Sequence, residues 1–225
     1  GTPLHHAAGR EGTAIATALL GAGGAPSLTH LTKSGSTPVH FAILYGNDAM
    51  VELFVAKGGV ALLDPVPHPG APGGQWTVEQ TISMSHMLDT PAKKARMLAL
   101  VARLRAQASD AKAAGDAAAS DHGAGAPIER PSPKRQQTLV NAIRATHPAH
   151  GAAGNELALT MFRAHRQFYL AHDVRAVSPR DGKARRWSVL VWASALGSAA
   201  LVKALLAELG VAGSALVNRP DADGL

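Results

Sequence analysis

Eleven histidines and no cysteine set the chemistry open to this chain. An imidazole can ligate a metal or carry a proton near neutral pH. Two groupings have usable spacing. His147 and His150 are separated by two residues, and His165 and His172 lie seven apart on one predicted helix face. Pro148 puts the first pair in a predicted loop, and no acidic residue is placed to complete a ligand set, so no metal site is expected. His5 and His6 are adjacent and point in different directions on a helix. Without a thiol, nucleophilic catalysis falls to Ser or Thr beside a base, yet no Gly-x-Ser-x-Gly turn is present. Gly21-Ala22-Gly23-Gly24 lacks a dinucleotide spacing and follows no predicted strand, so it reads as a helix end. No catalytic residue and no cofactor is expected.

Two of the histidines sit in a repeated frame that explains them structurally. Gly1-Thr2-Pro3-Leu4-His5-His6-Ala7-Ala8 is echoed by Gly35-Ser36-Thr37-Pro38-Val39-His40-Phe41-Ala42, with 37 − 2 = 35 residues between the threonines. Thr2 and Thr37 suit the N-cap position, where a side-chain oxygen accepts a free amide of the first turn. Pro3 and Pro38 then fall at the first helical position, where the missing N–H costs nothing. Leu4 and Val39 are predicted buried anchors, and Ala7 and Ala42 are small enough for close helix approach. The frame and its near-33 spacing resemble the ankyrin repeat family. The resemblance implies an all-α solenoid of helix-turn-helix units joined by β-hairpin-like loops. It also implies that His5 and His40 tie each helix start to the neighbouring turn.

The repeats are traced along the chain by their apolar spacing. The first spans about 1–34: Gly12 breaks it, and Ile15, Leu19 and Leu20 face inward from its second helix. The second closes with Gly46-Asn47, then Met50, Val51, Leu53 and Phe54, then Lys57-Gly58-Gly59. Pro- and Gly-rich residues 64–74 form a loop, after which a degenerate third repeat is expected over 74–107. Residues 108–136 hold almost no large apolar side chain and are expected to form a flexible, disordered insertion. Two helical stretches follow, 138–146 and 156–171, as a distorted pair. Residues 187–210 resemble another repeat in which Ser188, Val189 and Val191 replace Thr, Pro and His. The organisation expected is therefore 1–107 as repeats, 108–136 as insertion, and 137–225 as degenerate repeats. Val217-Asn218-Arg219-Pro220-Asp221 resembles the hairpin before a further repeat, so the chain reads as a segment of a longer array.

Composition narrows the class further. Hydrophobic residues make up 46% of the chain but aromatics only 4%, so the core must come from Ala, Leu and Val in closely stacked helices. The absence of cysteine excludes disulfides and fits an intracellular setting. No secretory leader is read at the start, and the uncharged stretch 187–202 is too short to span a bilayer, which needs about 20 residues. The formal net charge of +6 comes from two clusters: Lys93, Lys94, Arg96, Arg103 and Arg105, and a run from Arg163 to Arg186.

Recognition of a protein partner is the expected function, as a scaffold or adaptor segment. The resemblance implies that hairpin tips and inner-helix ends carry it. Position by position this gives Arg10, Lys33, Ser34, Ser36, Leu44, Tyr45, Arg185, Trp187, Ala195 and Leu196. Tyr, Trp and Arg are favoured anchors, which singles out Tyr45 and Trp187; Trp187 reads equally well as an aromatic packed between repeats. One alternative is a basic surface that docks on nucleic acid or an acidic assembly. Another is a regulatory segment of an enzyme or channel whose other domains lie outside these residues.

Overall fold

The computed structural model describes residues 1–68, 70–111, 131–145, 154–179, 181–196, 198–210 and 212–221, which are mainly helical with four short strands. Thr2 and Thr37 adopt the same extended backbone, φ −90° and ψ 168°. Each precedes a helix that opens on proline: α1 (Pro3–Ala8) and α3 (Pro38–Leu44). The third residue of each helix is the histidine, and its ring turns back to the cap. The Thr2 N–H donates to Nδ1 of His5 at 3.0 Å, and the Thr37 N–H donates to Nδ1 of His40 at 3.4 Å. An amide can only donate, so Nδ1 is the unprotonated nitrogen in both rings and Nε2 carries the proton. Against α1 and α3 pack α2 (Ala14–Gly21) and α4 (Asp48–Gly58). Asn47 starts α4 by accepting the Met50 N–H on its side chain at 3.2 Å.

A hairpin of β1 (Val66–Pro67) and β2 (Gln75–Trp76) leads into α5 (Val78–Met84). Here Gln80 holds the position that His5 and His40 hold in their helices. Its Oε1 accepts the Thr77 N–H at 2.8 Å, and its own N–H donates to the Thr77 hydroxyl at 3.1 Å, a complete capping box. Among its described side chains, the helix that follows, α6 (Pro91–Ala111), buries Met97, Leu100 and Val101. It continues to residue 111, inside the stretch 108–136 expected as an insertion, because its Ala-rich end has high helix propensity. The far end of that stretch is helical too, since α7 (Pro133–Ala145) opens on Pro133 and buries Leu139, Val140, Ala142 and Ile143. Residues 112–130 lie outside the described residues, as do His147 and His150.

The single helix expected over 156–171 is two, α8 (Gly154–Ala164) and α9 (Arg166–Ala171), broken at His165 with φ −134° and ψ 35°. Strands β3 (Val174–Val177) and β4 (Ala184–Trp187) then pair antiparallel and deliver α10 (Val189–Leu196). Ser188 accepts the Val191 N–H at 3.2 Å, so the cap survives the loss of Pro and His. The chain continues as α11 (Ala199–Leu209) and α12 (Ala212–Asn218).

The order of these units in space differs from their order in the chain. One row of packed helices runs α7, α10, α1, α3, α5, and a second, behind it, runs α8, α11, α2, α4, α6. The late unit α10/α11 therefore precedes α1/α2 rather than closing a linear series. Both flanks of α1/α2 are apolar and need cover: Leu4, Ala7, Ala8, Ala16 and Leu19 are fully buried between the two neighbours. The core is continuous along the rows, with Trp192, Tyr169, Phe54 and Phe162 its largest buried side chains.

Candidate partner-binding groove

The ends of α1, α3 and α10 and the loop between β3 and β4 enclose a cavity of about 370 Å³. Of the residues expected to bind a partner, Tyr45, Arg185, Trp187, Ala195 and Leu196 line it, together with His5, His6, Phe41 and Asp181, which sequence reasoning did not select. Three units that neighbour one another in space thus contribute to one site. A second cavity of about 520 Å³ opens beside it, with Arg10, Asn47, Met87 and Arg96 in its lining, and Tyr45 borders both. The Tyr45 ring is 42% exposed. Its position depends on Gly9: a Cβ there would stand 2.8 Å from Tyr45 Cε2. Leu44, Met84 and Met87 are also exposed, and the Ser85 hydroxyl donates to the Leu44 carbonyl at 2.6 Å, tying the two helix ends together.

Trp187 is packed rather than presented, at 5% exposure, in keeping with the second of its two readings. Its ring lies 4.5 Å from that of His6 and 4.6 Å from that of Trp192, while the Arg185 guanidinium sits 4.8 Å from its centroid. Arg185 is further fixed by an ion pair with Asp181. Ala195 and Leu196 are likewise buried and serve as cavity floor. Arg10 is engaged in joining units, its Nη1 donating to the Ala195 carbonyl at 3.1 Å. Lys33, Ser34 and Ser36 stand outside both cavities, in the turn before α3. Ser36 is occupied there: its N–H donates to Thr32 Oγ1 at 3.1 Å and its carbonyl accepts from His5 Nε2 at 3.1 Å.

The imidazoles at this site are structural. Burial lowers His5 to about 3, against the raising effect of its bond to Ser36, and lowers His40 to about 4. Burial also lowers His6, although its Nε2 donates to the Asp221 carboxylate at 3.1 Å. Burial alone would raise Asp221, but the hydrogen bonds it accepts from His6 and Gly1 hold it at about 2. None of these groups is poised to exchange a proton near neutral pH. His165 and His172 do not converge: the first meets Arg135 at 3.3 Å and the second lies against Phe168. Among the described residues no group of three or more His, Asp or Glu is placed to hold a metal, and no helix is long and apolar enough to cross a membrane.

The first basic cluster is largely paired in place, Lys93 with Asp89, Arg96 with Asp48, Arg103 with Glu52 and Arg105 with Glu79, and in the second Arg163 pairs with Glu208 and Arg185 with Asp181. What the site offers is an aromatic and aliphatic cavity, one guanidinium and one carboxylate.

In comparison with known proteins, residues 34–65 fit the family model of the ankyrin repeat. No curated protein and no solved structure matches the chain.

Proposed function

We propose that this chain, an ankyrin repeat protein, binds a protein partner in the cavity between α1, α3 and α10, with Tyr45 as the anchor. Ankyrin repeats are interaction modules, and the row of helix pairs supports reading the units as a solenoid that displays helix ends and hairpins along one face. The observation that carries the choice of site is Tyr45: an exposed aromatic, held by Gly9, bordering two adjacent cavities. Such rigid, amphipathic side chains carry a disproportionate share of interface energy. A role as scaffold or adaptor segment of a larger intracellular protein follows from this reading. The ion pairs within 91–105 favour it over docking on nucleic acid.

Selection of a random-peptide display library against the chain tests it. The selected peptide should bind Tyr45→Ala about tenfold or more weakly, a loss of roughly 1.4 kcal/mol or more. Joint neutralisation of Arg103 and Arg105, away from the cavity, should leave its affinity unchanged. Peptides indifferent to Tyr45, or a chain that binds a mixed-sequence oligonucleotide with steep salt dependence and no peptide, would defeat the reading.

A further inference from the structure

The indole N–H of Trp76 donates to the Thr81 hydroxyl at 2.9 Å, and that of Trp192 donates to the Val174 carbonyl at 3.2 Å. Nε1 of Trp187, by contrast, is buried with no acceptor among the described residues. Arg185 repeats the pattern beside it. Its guanidinium lies over the Trp187 ring and pairs with Asp181, yet its Nε–H is buried and has no acceptor either. An N–H taken out of water without an acceptor loses a hydrogen bond on folding, so such donors are few in a native protein. Both of these side chains line the cavity of about 370 Å³. The neighbouring cavity carries the complementary case. Asp48 lines it and accepts from Arg96 Nε on Oδ2 at 2.9 Å, while its buried Oδ1 has no donor among the described residues. His40 Nε2 and Arg219 Nε also lack partners there, but neither residue lines these cavities. Unmet hydrogen-bonding capacity thus gathers in the two cavities that Tyr45 borders, donors in one and an acceptor in the other.

We propose that these atoms are the polar half of the partner site, and that what they receive is an uncharged stretch of extended peptide. One main-chain carbonyl of the peptide accepts from Trp187 Nε1 and Arg185 Nε, and a main-chain N–H across Tyr45 donates to Asp48 Oδ1. The inference rests on the Tyr45 site argued above and adds the chemistry of its ligand. Uncharged groups fit because each ionised group here already has its counter-ion, Asp181 for Arg185 and Arg96 for Asp48. A partner carboxylate at Arg185 would face Asp181, and a partner ammonium at Asp48 would face Arg96. The peptide is extended because a helix spends its own carbonyls and N–H groups internally. Its carbonyl enters as the Arg185 side chain turns off the indole, a rotamer change of the kind common at interfaces.

Peptides selected on the chain and weakened by Tyr45→Ala are the probe. In a proton–nitrogen correlation spectrum the Trp187 indole peak, assigned through its own backbone, should move downfield as peptide is added, while the Trp76 and Trp192 peaks stay in place. Replacing the peptide's amides by esters one at a time locates the two contacts. One ester, by its weaker carbonyl, should cost about tenfold in affinity for the native chain and nothing further for Trp187→Phe, which keeps a ring but has no N–H. Another, by its missing N–H, should cost about as much for the native chain and nothing further for Asp48→Ala. Affinity should change less than about twofold between about 50 and 500 mM salt. If either variant fails to fold, the indole shift and the ester costs on the native chain still decide. An unmoved Trp187 peak, an ester scan without a costly position, or an affinity that collapses in salt overturns the proposal and leaves the Tyr45 site standing. Peptides indifferent to Tyr45→Ala defeat the site itself, and this inference with it.

Discussion

The two flanks of α1/α2 solve one packing problem by different means. Toward α3/α4, among the described residues, His5 donates to the Ser36 carbonyl, Asn47 Nδ2 donates to the Arg10 carbonyl at 2.9 Å, and the His5 ring meets Phe41 edge-on at 5.4 Å. Toward α10/α11 and α12 the bond set is denser, with Asn218, Asp221, Arg10 and the His6–Trp187 contact all crossing the boundary. The flank that has a covalent connection makes do with fewer polar contacts. The flank that lacks one compensates by recognition, and that difference can be probed from either side.

The largest expected effect comes from the core behind the non-covalent flank. Trp192 is fully buried and its Nε1–H donates to the Val174 carbonyl at 3.2 Å. Trp192→Ala should cost about 3–5 kcal/mol in urea unfolding, through lost burial and the cavity left behind. Because α10 covers α1, unfolding should remain a single transition shifted as a whole. A separate early transition confined to 131–221 would show that the flank does not couple the two halves.

Acid should act nearly as strongly, and on both flanks. His5 and His40 are neutral in the fold, lowered by burial to about 3 and about 4, whereas an unfolded chain binds their protons near pH 6.5. The unfolded state therefore takes up more protons as pH falls. Stability should be full above about pH 6.5 and decline down to the folded values, by about 2 kcal/mol for each histidine between pH 7 and 5. His6, also lowered by burial, adds to the loss in the same direction. Asp221 contributes only further down, where protonation toward its value of about 2 removes the acceptor for His6. Denaturation midpoints that do not change between pH 7 and 5 would contradict the buried, neutral assignment.

Paired alanine variants compare the flanks directly. Asn218→Ala strips partners from Ser27 and Gly23 and should cost about 2 kcal/mol, while Asn47→Ala should cost about 1 kcal/mol from a lost cap and one cross-unit bond. Melting temperatures in that order support the denser flank as the more polar-dependent one, and the reverse order breaks the comparison.

How far the sequence foretold this depends on the range of the forces involved. The helices α1, α3 and α4 are readable because their signals are local: Thr-Pro at the start, apolar residues at helical spacing, glycine at the end. The helices of 187–210 were readable for the same reason, and Ser188 supplied the cap that the missing Pro and His left open. The spatial order of units was not readable, because an apolar flank of Ala and Leu does not specify which neighbour covers it. One signal pointed the right way: Val217-Asn218 and Asp221 look like the turn before a Thr-Pro helix. In the fold they serve as that turn, for Thr2 itself. At the groove, Tyr45 was legible as an exposed position beside Gly46, while the sequence left Trp187 open between an exposed anchor and a packed aromatic. Its cover comes from His6, which is remote in sequence.

The smallest and most discriminating prediction concerns two copies of one motif. His5 and His40 receive the same amide from the same cap, yet only His5 passes its Nε2 proton on, to Ser36. Nε2 of His40 is buried without an acceptor among the described residues. The loop before α5 is the long, Pro- and Gly-rich one, and none of its described residues brings a carbonyl to that nitrogen. Gln80 shows that glutamine at this helix position can accept the cap amide. His40→Gln should therefore be close to neutral, since it keeps the cap and exchanges one partnerless buried donor group for another, the amide Nε2. His5→Gln should cost about 1 kcal/mol, because it gives up the bond to the Ser36 carbonyl and leaves that carbonyl poorer by one donor. Equal effects at the two positions would mean that the imidazole serves only the cap and that the link to the next turn adds nothing.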